Sequence, residues 1–166
     1  MQLTQGTAEQ IMSDLGMEDV PLMEHTPIPT ALPNDWFTRY KELCHKFTMS
    51  LMDSVQELAF MNLPQNEFMD LLMGRSIPAN LSFRFRVPPT WGGKFEIDNM
   101  FICWTFPQSQ RMDGFLIMQS DAKTVWLPNP AKKIYLPAHT AGGGDGGNAT
   151  EDRLAQMSAQ LASGRE

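Results

Sequence analysis

Residues 81–88 read LSFRFRVP, a stretch in which two phenylalanines alternate with two arginines. Alternation with a period of two predicts a β-strand with one aromatic face and one basic face. Such a strand has two interpretations. It is either an open surface that stacks bases and holds phosphates, or an ordinary half-buried strand whose arginines pair with acids.

The segment KFEID at 94–98 favours the second interpretation. If the two segments pair antiparallel, with residue numbers that sum to 182, Arg84 faces Asp98 and Arg86 faces Glu96. The phenylalanines then share the opposite face with other apolar side chains. Directly opposed unlike charges stabilise neighbouring strands. We therefore predict a β-hairpin whose loop carries Trp91 between prolines and glycines.

The rest of the chain predicts an α+β fold. Met100–Phe106 is apolar on both faces, which is typical of a central strand. Apolar residues spaced three and four apart over 34–63 predict a long amphipathic helix that packs on the sheet. A shorter helix is expected at 66–73. We predict an antiparallel sheet of about five strands in a meander, with further strands at 115–119, 124–127 and 132–136.

Both ends of the chain differ from this predicted core domain of 34–140. Residues 1–33 are acidic and rich in proline, and we predict a flexible arm that contains a short amphipathic helix. Ile11, Met12 and Leu15 form the apolar face of that helix. The arm either binds a groove on a partner protein or folds back over the body of this chain. Residues 141–166 predict a Gly-rich linker and a C-terminal helix.

Charge is distributed unevenly along the 166 residues, whose formal net charge is -6. Residues 1–38 carry six acids and no Lys or Arg, whereas 74–133 carry eight bases and four acids. A basic, aromatic sheet face is typical of proteins that bind single-stranded nucleic acid. The residues of that alternative interface are Arg84, Arg86, Lys94, Arg111, Lys123, Lys132 and Lys133.

Candidates for chemistry are few. The chain has two cysteines and three histidines, without the Cys-x-x-Cys or His-x-x-x-His spacing of metal sites. Cys103 lies mid-strand, where access to a substrate is poor, and His139 opens a Gly-rich stretch that lacks the ending of a phosphate-binding loop. We expect no metal, no cofactor and no catalytic residues. A hydrolase or transferase site around His139 is the weakest alternative.

These observations predict a small non-enzymatic binding or adaptor protein that acts through contacts with another protein or with itself. The partner-binding residues would be Ile11, Met12, Leu15 and the loop residue Trp91. The order of elements is similar to that of small bacterial adaptors and secretion chaperones, and of accessory proteins of phage and mobile elements. No apolar run is long enough for a membrane span, and no signal peptide is visible, so we expect a cytoplasmic location.

Overall fold

The computed structural model describes residues 1–51 and 64–137. Within these residues the chain is a mixed α+β protein, with four α-helices and two small sheets. Met1–Tyr135 belong to one compact unit. The helices seen in the described residues are too short or too polar to span a bilayer. Two predictions lie outside the described residues: the second half of the long helix, over 52–63, and the C-terminal linker and helix.

The helices are α1 (Gln5–Asp14), α2 (Trp36–Ser50), α3 (Gln65–Leu72) and α4 (Gln110–Ile117). The strands are β1 (Leu22–His25), β2 (Leu81–Phe85), β3 (Met100–Trp104), β4 (Val125–Pro128) and β5 (Ile134–Tyr135). β1 and β4 form an antiparallel pair. The other sheet has the order β2-β3-β5, in which β3 is antiparallel to β2 and parallel to β5.

Strand β3 is the centre of the fold, as its sequence predicts. Its first four side chains are each no more than 1% exposed, although they alternate between the two faces of the sheet. A strand that is buried on both faces must be covered by other elements on both sides. This requirement places the sheet between two separate layers of helices.

One layer covers the face that carries Phe101 and Cys103. These side chains belong to an apolar cluster with Ala8 and Met12 of α1 and Phe115 of α4. The N-terminal helix is capped by the side chain of Thr4 and ends at Gly16, whose φ of 78° suits glycine. α1 is therefore a structural helix of the core.

The other layer is α2, which covers the face that carries Phe83 and Phe85. The ring of Phe47 meets the ring of Phe83 edge-on, and the ring of Tyr40 lies 6.0 Å from that of Phe85. The Tyr40 hydroxyl donates a hydrogen bond to the Phe83 carbonyl. The apolar face of α2 is thus predicted correctly, although its N-terminal aromatics, Trp36 and Phe37, are exposed.

The predicted meander is wrong, and so is the predicted hairpin register. β2 pairs with β3, with residue numbers that sum to 185, and 94–98 is not a strand. The side chain of Asn99 explains the difference. It bonds to the backbone N–H and C=O of Val87 and to the carbonyl of Lys94. These bonds hold the chain in a closed loop, so that β3 lies beside β2.

The predicted strand at 115–119 is also wrong, because Phe115 lies in helix α4. Met112 and Phe115 are both buried and stand three residues apart, which is a helical spacing. The run FLIM at 115–118 is apolar at every position and therefore shows no helical period by itself. Buried Gln119 follows the helix, and its amide bonds to both backbone groups of Trp126, which fixes α4 against β4.

The segment predicted to be a flexible arm is packed into the fold. Leu3, Ala8, Met12, Met17 and Val20 are buried in the apolar cluster. Its proline-rich part supplies β1, which pairs with β4 along its whole length. The arm is integral because, together with α4, it covers the face of β3 that carries Phe101 and Cys103. The composition of the arm, acidic and rich in proline, does not indicate that it covers a face of β3.

Gly93 closes the loop that Asn99 holds. A Cβ atom added at Gly93 would lie 1.8 Å from the carbonyl oxygen of Val87. The obstacle is backbone, so no side-chain rotation relieves it. Gly114, in the middle of α4, meets nothing within 4 Å and provides a matched control.

We expect Gly93→Ala to lower the free energy of unfolding by at least about 2 kcal/mol, because the methyl group overpacks against backbone. We expect Gly114→Ala to raise it by about 0.5–1 kcal/mol, because alanine is the better helix former. Urea denaturation followed by circular dichroism measures both. Equal stabilities of the Gly93→Ala variant and the parent would contradict the loop geometry.

Candidate functional site

A surface groove of about 400 Å³ lies beside strand β2. We call it the edge groove. Its lining comes from β2, from the turn that follows β2, and from α4. The lining residues are Phe83, Arg84, Phe85, Pro88, Pro89, Thr90, Trp91, Asp113, Leu116, Ile117 and Ser120.

The groove follows the edge of the strand. Phe83, Arg84 and Phe85 are consecutive, and successive side chains of a strand point to opposite faces. A groove that touches all three therefore runs along the side of β2 that faces away from β3. Among the strands that the structure describes, β2 is terminal in its sheet, and none of them lies on this side.

The hydrogen-bond pattern identifies the backbone groups at this edge. Arg86 N–H donates to the Asn99 carbonyl, and Thr105 N–H donates to the Asn80 carbonyl. In an antiparallel ladder this pattern alternates, so the even-numbered residues of β2 bond to β3 and the odd-numbered ones face outward. Tyr40 occupies the outward Phe83 carbonyl. Within the described residues, the Phe83 N–H and both backbone groups of Phe85 have no hydrogen-bond partner.

The walls of the edge groove are mainly apolar. Ile117, on the last turn of α4, is 70% exposed, which is high for a large apolar side chain. Leu116 is half-buried beside it. Trp91 forms the end of the groove after the Pro88-Pro89 pair. Its carbonyl is held by the Ile28 N–H and the His25 ring, which fixes the turn.

An ion pair marks the polar part of the groove. Arg84 donates to a carboxylate oxygen of Asp113 at 2.6 Å and to the hydroxyl of Ser109 at 3.0 Å. The Arg84 side chain is only 15% exposed, whereas that of Asp113 is 59% exposed. The groove therefore presents the carboxylate to a ligand and keeps the guanidinium inside. This pair replaces the predicted pairing of Arg84 with Asp98.

Arg86 is also held within the fold, although its predicted partner Glu96 is not involved. It donates to the side-chain carbonyl of Asn129 and to the backbone carbonyls of Pro130 and Lys132. The guanidinium carbon lies 5.5 Å from the centre of the Phe101 ring. Burial lowers the pKa of Arg86 from its usual value. This side chain connects β2 to the segment that leads into β5.

The other residues of the predicted nucleic-acid interface lie on several different segments. Arg111 donates to the carbonyl of Leu15 at 2.7 Å and so binds the acidic N-terminal segment. Lys94 lines a separate pocket with His25. Lys123 and Lys132 are exposed and Lys133 is half-buried, in the segments before β4 and β5.

We expect Arg86→Gln to lower the free energy of unfolding by about 1–3 kcal/mol, because three carbonyl acceptors lose a charged donor. Lys123→Gln is the control, since Lys123 is exposed, and we expect a change within about 0.5 kcal/mol. Thermal and urea unfolding measure the difference. If both variants match the parent, Arg86 is not the structural residue that the contacts indicate.

The predicted partner-binding residues of α1 are occupied within the molecule. Met12 is buried, and Ile11 and Leu15 are half-buried against the same apolar cluster. Trp91 is the predicted residue that does reach a groove. Sequence patterns do not identify Leu116, Ile117 or Asp113 as groove residues. Leu116 and Ile117 fall in the predicted strand at 115–119, and no local signal places α4 beside β2.

A second pocket, of about 290 Å³, lies between α2 and the segment after α3. Phe37, Cys44, Leu71 and Ile77 supply its apolar lining. His45 borders it, and among the described residues its buried Nδ1 has no hydrogen-bond partner. A Cβ added at Gly74 would lie 3.2 Å from that nitrogen, so a larger residue at this position would crowd the ring.

The two cysteines are buried in the core. Burial raises the pKa of the Cys44 thiol and that of the Cys103 thiol to about 12 in each case. A thiol with a raised pKa stays protonated at neutral pH and is a poor nucleophile. Within residues 1–51 and 64–137, no three His, Cys, Asp or Glu residues lie close enough to share a metal ion. His139 lies outside the described residues.

We expect both thiols of the folded protein to react with Ellman's reagent at pH 8 at least about a hundredfold more slowly than a free cysteine, because burial limits thiolate and access. Addition of urea should release both thiols. Rapid reaction of either thiol in the folded protein would show that its site opens to solvent.

No family model, curated protein or solved structure matches this chain.

Proposed function

We propose that this protein is a non-enzymatic binding protein that acts through protein–protein contacts at the edge groove. The observation that carries the proposal is the apolar wall of exposed Ile117 and half-buried Leu116, which lines the same groove as Trp91. Apolar side chains with a central aromatic residue and a polar rim are characteristic of protein interfaces.

The two other predicted activities receive less support. A basic platform for nucleic acid needs guanidinium groups that face the phosphates. The guanidinium groups of Arg84, Arg86 and Arg111 instead donate hydrogen bonds to acceptors within the fold. The alternative enzyme site around His139 lies outside the described residues; a form of it that uses a cysteine nucleophile would need an ionisable, accessible thiol, and both thiols are buried with raised pKa values.

A photo-reactive amino acid in place of Ile117 tests the proposal in the source cells. We expect it to cross-link a partner protein on irradiation, because this side chain lies at the centre of the contact surface. The same group in place of Met49, an exposed apolar residue of α2 that does not line the groove, is the matched control. Cross-links from Met49 alone, or none from Ile117, would refute the proposal.

The partner identified in this way then allows a binding measurement. We expect Ile117→Glu to weaken binding of the purified partner about tenfold or more, because a charge replaces a contact in the interface core. Met49→Glu should leave the affinity unchanged. Circular dichroism of both variants verifies that the fold persists. Equal affinities of the two variants would place the interface elsewhere.

A further inference from the structure

We infer that the partner segment binds the edge groove as an added β-strand that extends the sheet β2-β3-β5 beyond β2. The inference rests on the proposed function and specifies its mode. Adding a strand to a sheet edge is an established way of binding an extended peptide, because main-chain hydrogen bonds supply affinity and side-chain pockets supply specificity.

The free backbone groups at the edge support this mode. Phe85 offers an N–H and a C=O, and Phe83 offers an N–H, all without partners among the described residues. These groups face outward at every second residue, which is the spacing that a neighbouring strand requires. Tyr40 already satisfies the Phe83 carbonyl, which lies between the Phe83 N–H and the two Phe85 groups, so an added strand would form its bonds on either side of that hydroxyl.

The flanking elements leave room for a strand and limit its length. The Pro89–Trp91 turn closes the groove beyond Phe85, since prolines end the strand and the Trp91 carbonyl is fixed by Ile28. α4 forms the wall on the side of Arg84. The available edge therefore accommodates a short extended segment.

Charge defines the chemistry of this segment. The charged residues of the lining are Arg84 and Asp113, and the carboxylate is the exposed member of the pair. One of its oxygens accepts from Arg84. A Lys or Arg of the partner would complement this carboxylate, while neighbouring side chains on the same face would contact Ile117. The occupant is thus an extended segment of a partner protein, with β-branched or aromatic residues and a basic residue at alternate positions.

The test begins with a phage-displayed library of short random peptides, selected on the full-length protein and counter-selected on the Ile117→Glu variant. We expect enriched sequences that alternate apolar residues with a Lys or Arg and lack proline at the pairing positions. Enrichment of helical, acidic or proline-rich sequences overturns the inference. Failure to enrich any sequence over the Ile117→Glu variant also overturns it.

A synthetic peptide from that selection then tests the backbone contacts by NMR-detected amide exchange. We expect the Phe83 and Phe85 amides to exchange at least about tenfold more slowly in the complex, because each gains a hydrogen bond. Unchanged exchange at both amides overturns the inference. If cross-linking from Ile117 has succeeded, that result leaves the proposed function intact and rejects only strand addition.

A pair of variants at Phe85 tests the contribution of its outward-facing backbone N–H to peptide binding. Phe85→Ala removes the ring and keeps the N–H, whereas Phe85→Pro removes both, and neither change touches the bonds between β2 and β3. We expect Phe85→Pro to bind the peptide about tenfold more weakly than Phe85→Ala. Amide exchange of Phe101 and Cys103 reports whether β2 and β3 stay paired in each variant. Equal affinities of two folded variants overturn the inference.

If Phe85→Pro does not fold, the peptide itself provides the measurement. One peptide is N-methylated at its odd positions and another at its even positions, which removes those main-chain donors. We expect one of the two peptides to lose binding and the other to keep it, because only alternate residues of an added strand donate to the sheet edge. If N-methylation weakens binding at neither the odd nor the even positions of the peptide, strand addition is overturned. Analytical ultracentrifugation of the protein alone tests whether a second copy of this chain occupies the edge. A dimer that the Ile117→Glu variant dissociates would assign the edge to that second copy and overturn the inference of a partner segment.

Discussion

The burial of β3 on both faces is the constraint on which the rest of this structure depends. Phe101 and Cys103 need cover on one side, and Met100 and Ile102 need it on the other. α2 supplies the second layer, while α1 and α4 supply the first. Residues near both ends of the described chain are recruited for this purpose, because apolar side chains on a central strand are stable only when water is excluded from both faces.

The arginines of β2 show how that packing sets chemistry. Arg84 and Arg86 point to the side occupied by α4 and by the segment before β5, so their guanidinium groups find acceptors within the fold. Charged groups that leave water need such partners, because an unpaired buried charge is costly. The same basic side chains on an uncovered sheet would form a surface for phosphates. Here their hydrogen bonds connect β2 and the residue after it to α4 and to the segment before β5.

The edge of β2 has the opposite character, since its donors and acceptor stay open. Natural proteins usually protect the terminal strands of a sheet, and an open edge with apolar walls favours pairing with another strand. In this molecule the Tyr40 hydroxyl protects one carbonyl and the Pro88-Pro89 pair ends the strand. The edge groove runs beside this strand, and its accessible carboxylate, Asp113, is the basis of the proposed preference for a basic partner.

The sequence by itself determined the elements with strong local periodicity. The alternation at 81–88, the double apolar face of β3 and the apolar stripe of α2 each predict the observed element, because side-chain burial imposes these periods locally. It also indicated Trp91 as a loop residue available for contacts. The tertiary structure alone decided which strand pairs with β2, because KFEID and the β3 segment can both place apolar side chains beside Phe83 and Phe85. The three side-chain bonds of Asn99 and the greater apolarity of β3 resolve that choice. It also decided that the acidic N-terminal segment belongs to the core and that Ile117 faces β2, since contacts between residues far apart in sequence leave no local pattern.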